Sequence, residues 1–325
     1  AFLRHCTPRS SERGLAATAV LTRDAFRYFD EMIADGLELD LQRRGLLLIG
    51  TSQASIDEEF AELSKLSAHE IPVEISRLTA AECREREPVI GPAVAGGIYV
   101  STEGHLDPRE LTKALAATIT ARGGRIRTGE AVTGFVTEDQ RVSAVVAGGE
   151  IPASNVVIAA GAHSVPVTRM LGVRLPMTAG KGYSFSVTST RELSSPMYLL
   201  ETKAGVSPMA GRVRFAGTIE FSGLNTYRDP RRIDALKLAA RGYFPDFDWT
   251  TSAEEWTGMR PLCPDGLPVM DRVPGFENAY VATGHSTLGI TLAAVTGAHM
   301  ATFVGKGTAP AELQPFRFPS YFGRR

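Results

Sequence analysis

The feature that most constrains this chain is the run Tyr280-Val281-Ala282-Thr283-Gly284-His285-Ser286-Thr287-Leu288-Gly289-Ile290-Thr291-Leu292. An apolar strand enters a glycine turn, and the turn opens a helix with one side built of small residues: Ala293, Ala294, Gly297, Ala298 and Ala301. Such a strand–turn–helix aims unpaired backbone N–H groups and the positive helix end at whatever lies above it. That suits a phosphate, a carboxylate or the electron-rich edge of a ring system. It is also the shape of an ordinary βα unit of an α/β protein, so the run alone leaves the ligand open.

Periodicity fills in the rest. Helices are predicted over Leu15–Asp35, Ser55–Leu66 and Asp107–Gly123, and a glycine-bounded strand over Gly45–Gly50. Thr79 and Glu82 form a capping box, while Asp107 and Pro108 open the third helix and Gly123-Gly124 stop it. Strands Arg125–Thr137, Val142–Ala147 and Val156–Ala160 read as one small meander. Pro176–Thr188 and Val213–Glu220 are strand-like, Asp229–Tyr243 is helical, and a last helix runs from about Gly289 to Val304. Composition does not shift along the 325 residues, which are enough for one large or two interleaved domains.

Composition excludes several classes. The formal net charge is -1, with acids and bases interspersed, which gives no reason to expect nucleic acid as partner. No run of about 18 apolar residues spans a bilayer. Cys6, Cys83 and Cys263 are too scattered for a disulfide framework or a structural zinc site. The six histidines do not cluster with acids at metal-ligand spacing. There is no GxSxG elbow and no P-loop, and Gly180-Lys181-Gly182 lacks the third glycine of a dinucleotide fingerprint. The chain starts at Ala1, and Ala1–Arg13 reads like the middle of a helical region, so the sequence is taken as a fragment or processed product.

Two other stretches carry chemistry. Gly258-Met259-Arg260-Pro261-Leu262-Cys263-Pro264-Asp265-Gly266-Leu267-Pro268 reads as a rigid irregular loop. An arginine presented from it among apolar neighbours can grip a carboxylate bidentately, or form a surface salt bridge. Asp265 reads as a turn-former. Val156–Ser164 is a buried strand ending in small residues around Gly161, which permits close approach of a backbone to a ligand or simply makes a tight turn.

Gly258–Pro268 followed by Asn278–Gly297 resembles the C-terminal signature of the D-amino-acid oxidase superfamily. The order and spacing match, as do Arg260-Pro261, Pro264-Asp265-Gly266 and Gly284-His285. Ile158–Ser164 resembles the family's second flavin motif. Ala179–Ser186 and the opening Phe2–Pro8 resemble the bacterial D-amino-acid dehydrogenase branch. The resemblance covers nearly the whole chain. One part is missing: the family opens with a strand, a GxGxxG turn and a helix ending at an acidic residue, about one hundred residues that this sequence does not contain.

The resemblance implies an α/β fold of two interleaved domains. An antiparallel-sheet substrate domain would take residues 1–98 and 168–256. An incomplete Rossmann-like FAD domain would take 99–167 and 257–325. It implies non-covalent FAD, since Cys263 lies too late for the family's covalent attachment. Gly284, His285, Ser286, Thr287, Leu288 and Gly289 would line the isoalloxazine edge, Val132 the adenine end, and Gly161 the pyrophosphate. Arg260 would bind the substrate carboxylate, with Tyr183 beside it. The reaction would convert a D-amino acid or similar small amine to a 2-oxo acid and ammonia, with electrons passing to a quinone or another carrier. It needs positioning rather than a catalytic triad. The implied location is the cytoplasm or the inner-membrane periphery. Two alternatives stay open: a glycine- or sarcosine-type oxidase using dioxygen, and an inactive N-terminally truncated fragment with open, sticky strand edges at Val156–Ala160 and Ala279–Thr283.

Overall fold

The computed structural model describes residues 2–189, 192–209 and 211–318. In chain order its strands are β1 (Leu46–Gly50), β2 (Ile75–Thr79), β3 (Gly96–Val100), β4 (Gly134–Glu138), β5 (Arg141–Val146), β6 (Glu150–Pro152) and β7 (Val156–Ile158). They continue as β8 (Thr178–Thr188), β9 (Met197–Leu199), β10 (Ala204–Met209), β11 (Arg212–Glu220), β12 (Ala253–Leu262), β13 (Val269–Arg272) and β14 (Ala279–Thr283). The helices are α1 (Pro8–Thr22), α2 (Ala25–Ala34), α3 (Gln53–Ser64), α4 (Ala80–Arg86), α5 (Pro108–Ala121), α6 (Ser164–Met170), α7 (Pro230–Arg241) and α8 (Ala293–Lys306).

Eight strands form one sheet in the order β12-β8-β11-β10-β9-β1-β3-β2, antiparallel except where β1 meets β9. Strands from residues 46–100 and 178–262 therefore share a single sheet, and β3 and β12 run across the boundaries drawn at 98 and 256. Its core face carries Phe185, Val187, Val206 and Phe215, covered by Ile233 and Leu236 of α7 and by Phe244 and Trp249. A second sheet, β13-β14-β7, pairs β14 with β7 in parallel. Helix α8 covers it, with Val295, Met300 and Phe303 packed on Met270 and Tyr280. The third sheet is the meander β4-β5-β6. Asn278 fastens it to β14: the side-chain carbonyl accepts from Val142 N–H at 2.9 Å, and the amide donates to the Val142 carbonyl at 2.8 Å.

The mixed α/β class, both caps and most elements match expectation. Thr79 and Glu82 form the capping box, and Asp107 accepts from Arg109 N–H at 2.7 Å. Several readings need correction. The helix predicted over Leu15–Asp35 is two helices broken at Arg23-Asp24, because Leu21 packs toward Tyr280 while Phe29 packs with Leu111 and Ala294. Arg125–Thr137 becomes a strand only from Gly134, and the meander closes with β6 rather than with Val156. The last helix starts at Ala293. The stretch around Arg260 is strand through Leu262, because β12 is a sheet edge and an edge tolerates Pro261, whose missing N–H costs no ladder bond there. Finally, β14 is paired on both sides, so of the two strand edges expected to be open, only that of β7 is free among the described residues.

Candidate active site

Side chains alternate along β8, and the two faces differ sharply. Lys181, Tyr183, Phe185 and Val187 go to the core side. Gly180, Gly182, Ser184 and Ser186 leave the other face bare. On that face a cavity of about 160 Å3 is lined by Gly182, Ser184, Arg214, Ala216, Trp256 and Arg260, among others. Arg260 pairs across the ladder with Gly180. Its guanidinium lies so close over Gly182 that a Cβ there would sit 2.0 Å from Nη1. Glycine is what the strand needs at that point.

Arg260 is half-buried and donates to the Thr218 carbonyl at 3.0 Å. Arg214, three strand-face positions away, donates to Ser184 Oγ at 3.2 Å and lies 5.6 Å over the Trp256 ring. Among the described residues neither guanidinium has a carboxylate within 4 Å. Burial, then the Arg214 charge, pulls the Arg260 pKa below its ordinary value. Burial does the same to Arg214, followed by the charge of Arg109, opposed by Asp107 and Glu254. Two desolvated cations in one small cavity could hold an anion, and a planar carboxylate matches the guanidinium fork.

The glycine turn is tied to the strand that carries Arg260. His285 bridges to Leu262, and Ser286 N–H donates to the Pro261 carbonyl at 3.0 Å. The turn is thus tied to β12 one or two residues beyond Arg260. Gly284 has φ +85 and Ser286 φ +53. The crest Thr287–Ile290 is exposed, with apolar Leu288 and Ile290 uncovered and open space above Gly289. Helix α8 starts behind it with no side-chain cap. His285 itself turns inward to Thr296 Oγ1 at 3.0 Å, and burial drives its pKa down to about 4, so it is neutral. Thr283 Oγ1 donates to the Gly161 carbonyl at 2.9 Å, which joins the second motif to the turn. Gly161 has φ +53 and open space beside it. Val132 lies in irregular chain before β4, where Thr133 N–H holds the Val146 carbonyl at 2.8 Å. Asp265 is a turn-former, accepting from Leu267 N–H at 3.2 Å.

Tyr183 is placed differently from Arg260. It contributes to the cavity wall, but its ring belongs to the core side and its hydroxyl donates to Glu220 at 2.7 Å. The structure does not bring that hydroxyl to Arg260. Arg214 was missed from the sequence, although the alternation Arg212, Arg214, Ala216, Thr218 in a strand signals a polar face. No group of His, Cys, Asp and Glu among the described residues could hold a metal ion, and no described helix is long and apolar enough to cross a membrane.

The family model of the DAO family, FAD dependent oxidoreductases, matches residues 4–302, and the chain belongs to that family. It is 31% identical over 333 residues to a D-amino acid dehydrogenase of Paramagnetospirillum magneticum, covering 98% of this chain and 78% of that protein. It is likewise 31% identical to one of Phenylobacterium zucineum, covering 98% and 76%. The fold is similar to glycine oxidase from Bacillus cereus (TM-score 0.81, 22% identity, 92% and 84% covered) and to L-proline dehydrogenase from P. horikoshii (TM-score 0.80, 18% identity, 94% and 84% covered). The family's cofactor is FAD, and one structural neighbour, an L-alpha-glycerophosphate oxidase from Mycoplasma pneumoniae, holds it. The local chemistry fits that group: an exposed apolar crest, unfilled space at Gly289 and Gly161, and an uncapped helix start would receive a flat ring with a polar edge.

Proposed function

We propose that the protein oxidises a D-amino acid, or a similar small amine bearing a carboxylate, to a 2-oxo acid and ammonia, with electrons leaving to a quinone or another carrier. The observation that carries this is the Arg260 guanidinium, unpaired with any acid among the described residues, on the bare sheet face of a strand whose next two residues are tied to the Gly284–Gly289 turn. Non-covalent FAD, when bound, supplies the hydride acceptor. Gly284, His285, Ser286, Thr287, Leu288 and Gly289 would frame its isoalloxazine edge, Gly161 would lie near its pyrophosphate and Val132 near its adenine. Cys263 sits under Gly284 with its thiol pushed up to about 12 by burial, so it stays protonated and is a poor nucleophile, which supports non-covalent binding.

Arg260 holds the carboxylate and so fixes the substrate Cα relative to the turn; Arg214 adds a second cation that favours amines bearing a carboxylate over those without one. With FAD bound, the positive end of α8 would favour negative charge at the ring edge. Water then hydrolyses the imine product. Titratable groups need not move a proton during the transfer, provided the amine arrives neutral, which agrees with a neutral, inward-turned His285. Residues 1–98 and 168–256 are read as the substrate domain, and 99–167 and 257–325 as the FAD domain. A location in the cytoplasm or at the inner-membrane periphery goes with an electron carrier as partner.

The test is turnover of D-alanine and other D-amino acids by the FAD-loaded protein, followed in parallel by dye reduction and by oxygen uptake. Dye reduction with slow oxygen uptake is expected. Fast oxygen uptake would move the assignment to an oxidase, and no turnover of any carboxylate-bearing amine would end it.

A further inference from the structure

Behind the cavity lies a buried charge that the reaction does not use. Lys181 is almost fully buried, and its ammonium meets Glu220 Oε1 at 3.1 Å, Asn225 Oδ1 at 2.9 Å and the Tyr227 carbonyl at 2.8 Å. Tyr183 donates to the other Glu220 oxygen at 2.7 Å, and Arg232 approaches that oxygen at 3.6 Å. Hydrogen bonds from Ser222, Tyr183 and Lys181 hold the Glu220 carboxyl down at about 2, so it is ionised. An ion pair whose lysine is this deeply buried is weak support for stability compared with an apolar side chain of equal volume, so its presence calls for another reason.

The ladder supplies one. β11 pairs with β8 regularly from Arg212↔Thr188 to Gly217↔Tyr183, and the next pair is Glu220↔Lys181. One residue of β8, Gly182, opposes two of β11, Thr218 and Ile219, which is a bulge. Thr218 sits in it at φ +65, a left-handed conformation that a β-branched residue adopts only when its surroundings impose it. The bulge turns the Thr218 carbonyl toward the bare face, where it accepts from Arg260 Nη1. Glu220 closes the bulge, and Glu220 is what Lys181 and Tyr183 grip.

We propose that Lys181, Glu220 and Tyr183 are positioning residues for Arg260: by clamping the end of the bulge they hold the Thr218 carbonyl at the angle that aims the guanidinium into the cavity. This rests on the reading of Arg260 as the carboxylate anchor. Released from the clamp, the strained bulge relaxes toward regular pairing, the carbonyl rotates away, and Arg260 loses the bond that orients it. The inference gives Tyr183 a role in substrate binding without contact to substrate.

The test uses FAD-loaded Glu220→Gln and the nearly isosteric Tyr183→Phe, each also combined with Arg260→Ala. Two readouts apply: KM and kcat for a D-amino acid, and calorimetric Kd for propanoate against uncharged propanamide. In the native background each variant should raise KM and propanoate Kd by about three- to tenfold, with kcat and propanamide binding nearly unchanged. In the Arg260→Ala background neither should have any further effect, because nothing is left to aim. Additive losses in that background, or an unchanged propanoate Kd in both folded single variants, would overturn the positioning role alone. An Arg260→Ala protein with normal KM and propanoate binding would overturn the carboxylate reading, and the clamp with it.

Discussion

Arg260 and the Gly284–Gly289 turn meet at the end of β12, but they are made of different material. The arginine acts through a long side chain laid over a bare glycine and held by a carbonyl. The turn offers backbone, and where a side chain is present it either points inward, as His285 does, or forms an apolar crest, as Leu288 and Ile290 do. The difference teaches where each half is vulnerable. The first depends on the identity of one residue. The second depends on conformation, on packing beneath it and on the absence of side chains above it.

The sharpest way to break this contrast is Arg260→Ala. Removing a charge-assisted bidentate partner should cost about 2–4 kcal/mol of transition-state binding, roughly 30- to 1000-fold in kcat/KM. Arg260→Lys should recover only part, since an ammonium lacks the planar fork. The thermal midpoint should hardly move, because Arg260 joins no ion pair among the described residues. Steady-state kinetics and a melting curve decide it, and unchanged kinetics would remove Arg260 from the site.

The turn should respond to acid instead. Unfolded, His285 takes up a proton near pH 6.5; folded, it does so only near 4. Between those values the unfolded chain binds more protons, so stability falls as pH falls, by about 2 kcal/mol at pH 5 and about 3 by pH 4. Above pH 6.5 there is no effect. Glu201 and Glu220, both held down at about 2, lose their contributions only below about 4.5, in a separate window. Urea unfolding at pH 7 and pH 5 for the native chain and His285→Gln tests this. If the variant is as acid-sensitive as the native chain, His285 is not the cause.

Two glycines sharpen the comparison inside the turn. Gly284→Ala puts a Cβ into a left-handed position, 2.7 Å from Cys263 Sγ, and should lose about 1–3 kcal/mol of stability. Gly289→Ala meets nothing within 4 Å. It should leave the melting temperature intact and lower the flavin-to-protein ratio, because the new methyl occupies space assigned to the ring. If Gly289→Ala retains full flavin, the crest is not the cofactor's seat.

How much of this was legible in the sequence follows the same division. Backbone features announce themselves through glycine and proline, and so the turn at Gly284, the caps at Thr79 and Asp107 and the turn at Asp265 could be read directly. Arg260 was found for its residue type, but its support was misread as a loop: Pro261 suggested irregular chain, and nothing local says that β12 is an edge where proline is harmless. The break at Arg23-Asp24 was hidden because both halves of the predicted helix are apolar on one side, and only their different packing partners separate them. The side to which Tyr183 faces, and the bulge at Thr218, are properties of register between strands some thirty-five residues apart, which no local pattern encodes.

The smallest expected effect falls on the bare face of β8 and isolates aim from stability. In Gly182→Ala the new Cβ would lie 2.0 Å from Arg260 Nη1 and 2.7 Å from its Cζ. The obstacle is the far end of a flexible side chain, so the guanidinium can swing off while the sheet stays paired. The melting temperature should remain near that of the native chain. Arg260 keeps its charge but loses its bond to the Thr218 carbonyl, so KM should rise by about three- to tenfold, equivalent to roughly 0.7–1.4 kcal/mol, with a smaller change in kcat. Gly205→Ala, on the same sheet with nothing nearer than 4.0 Å, serves as the control and should change neither quantity. A Gly182→Ala protein that unfolds more easily but binds substrate normally would mean that the glycine serves strand packing and that Arg260 is aimed by something else.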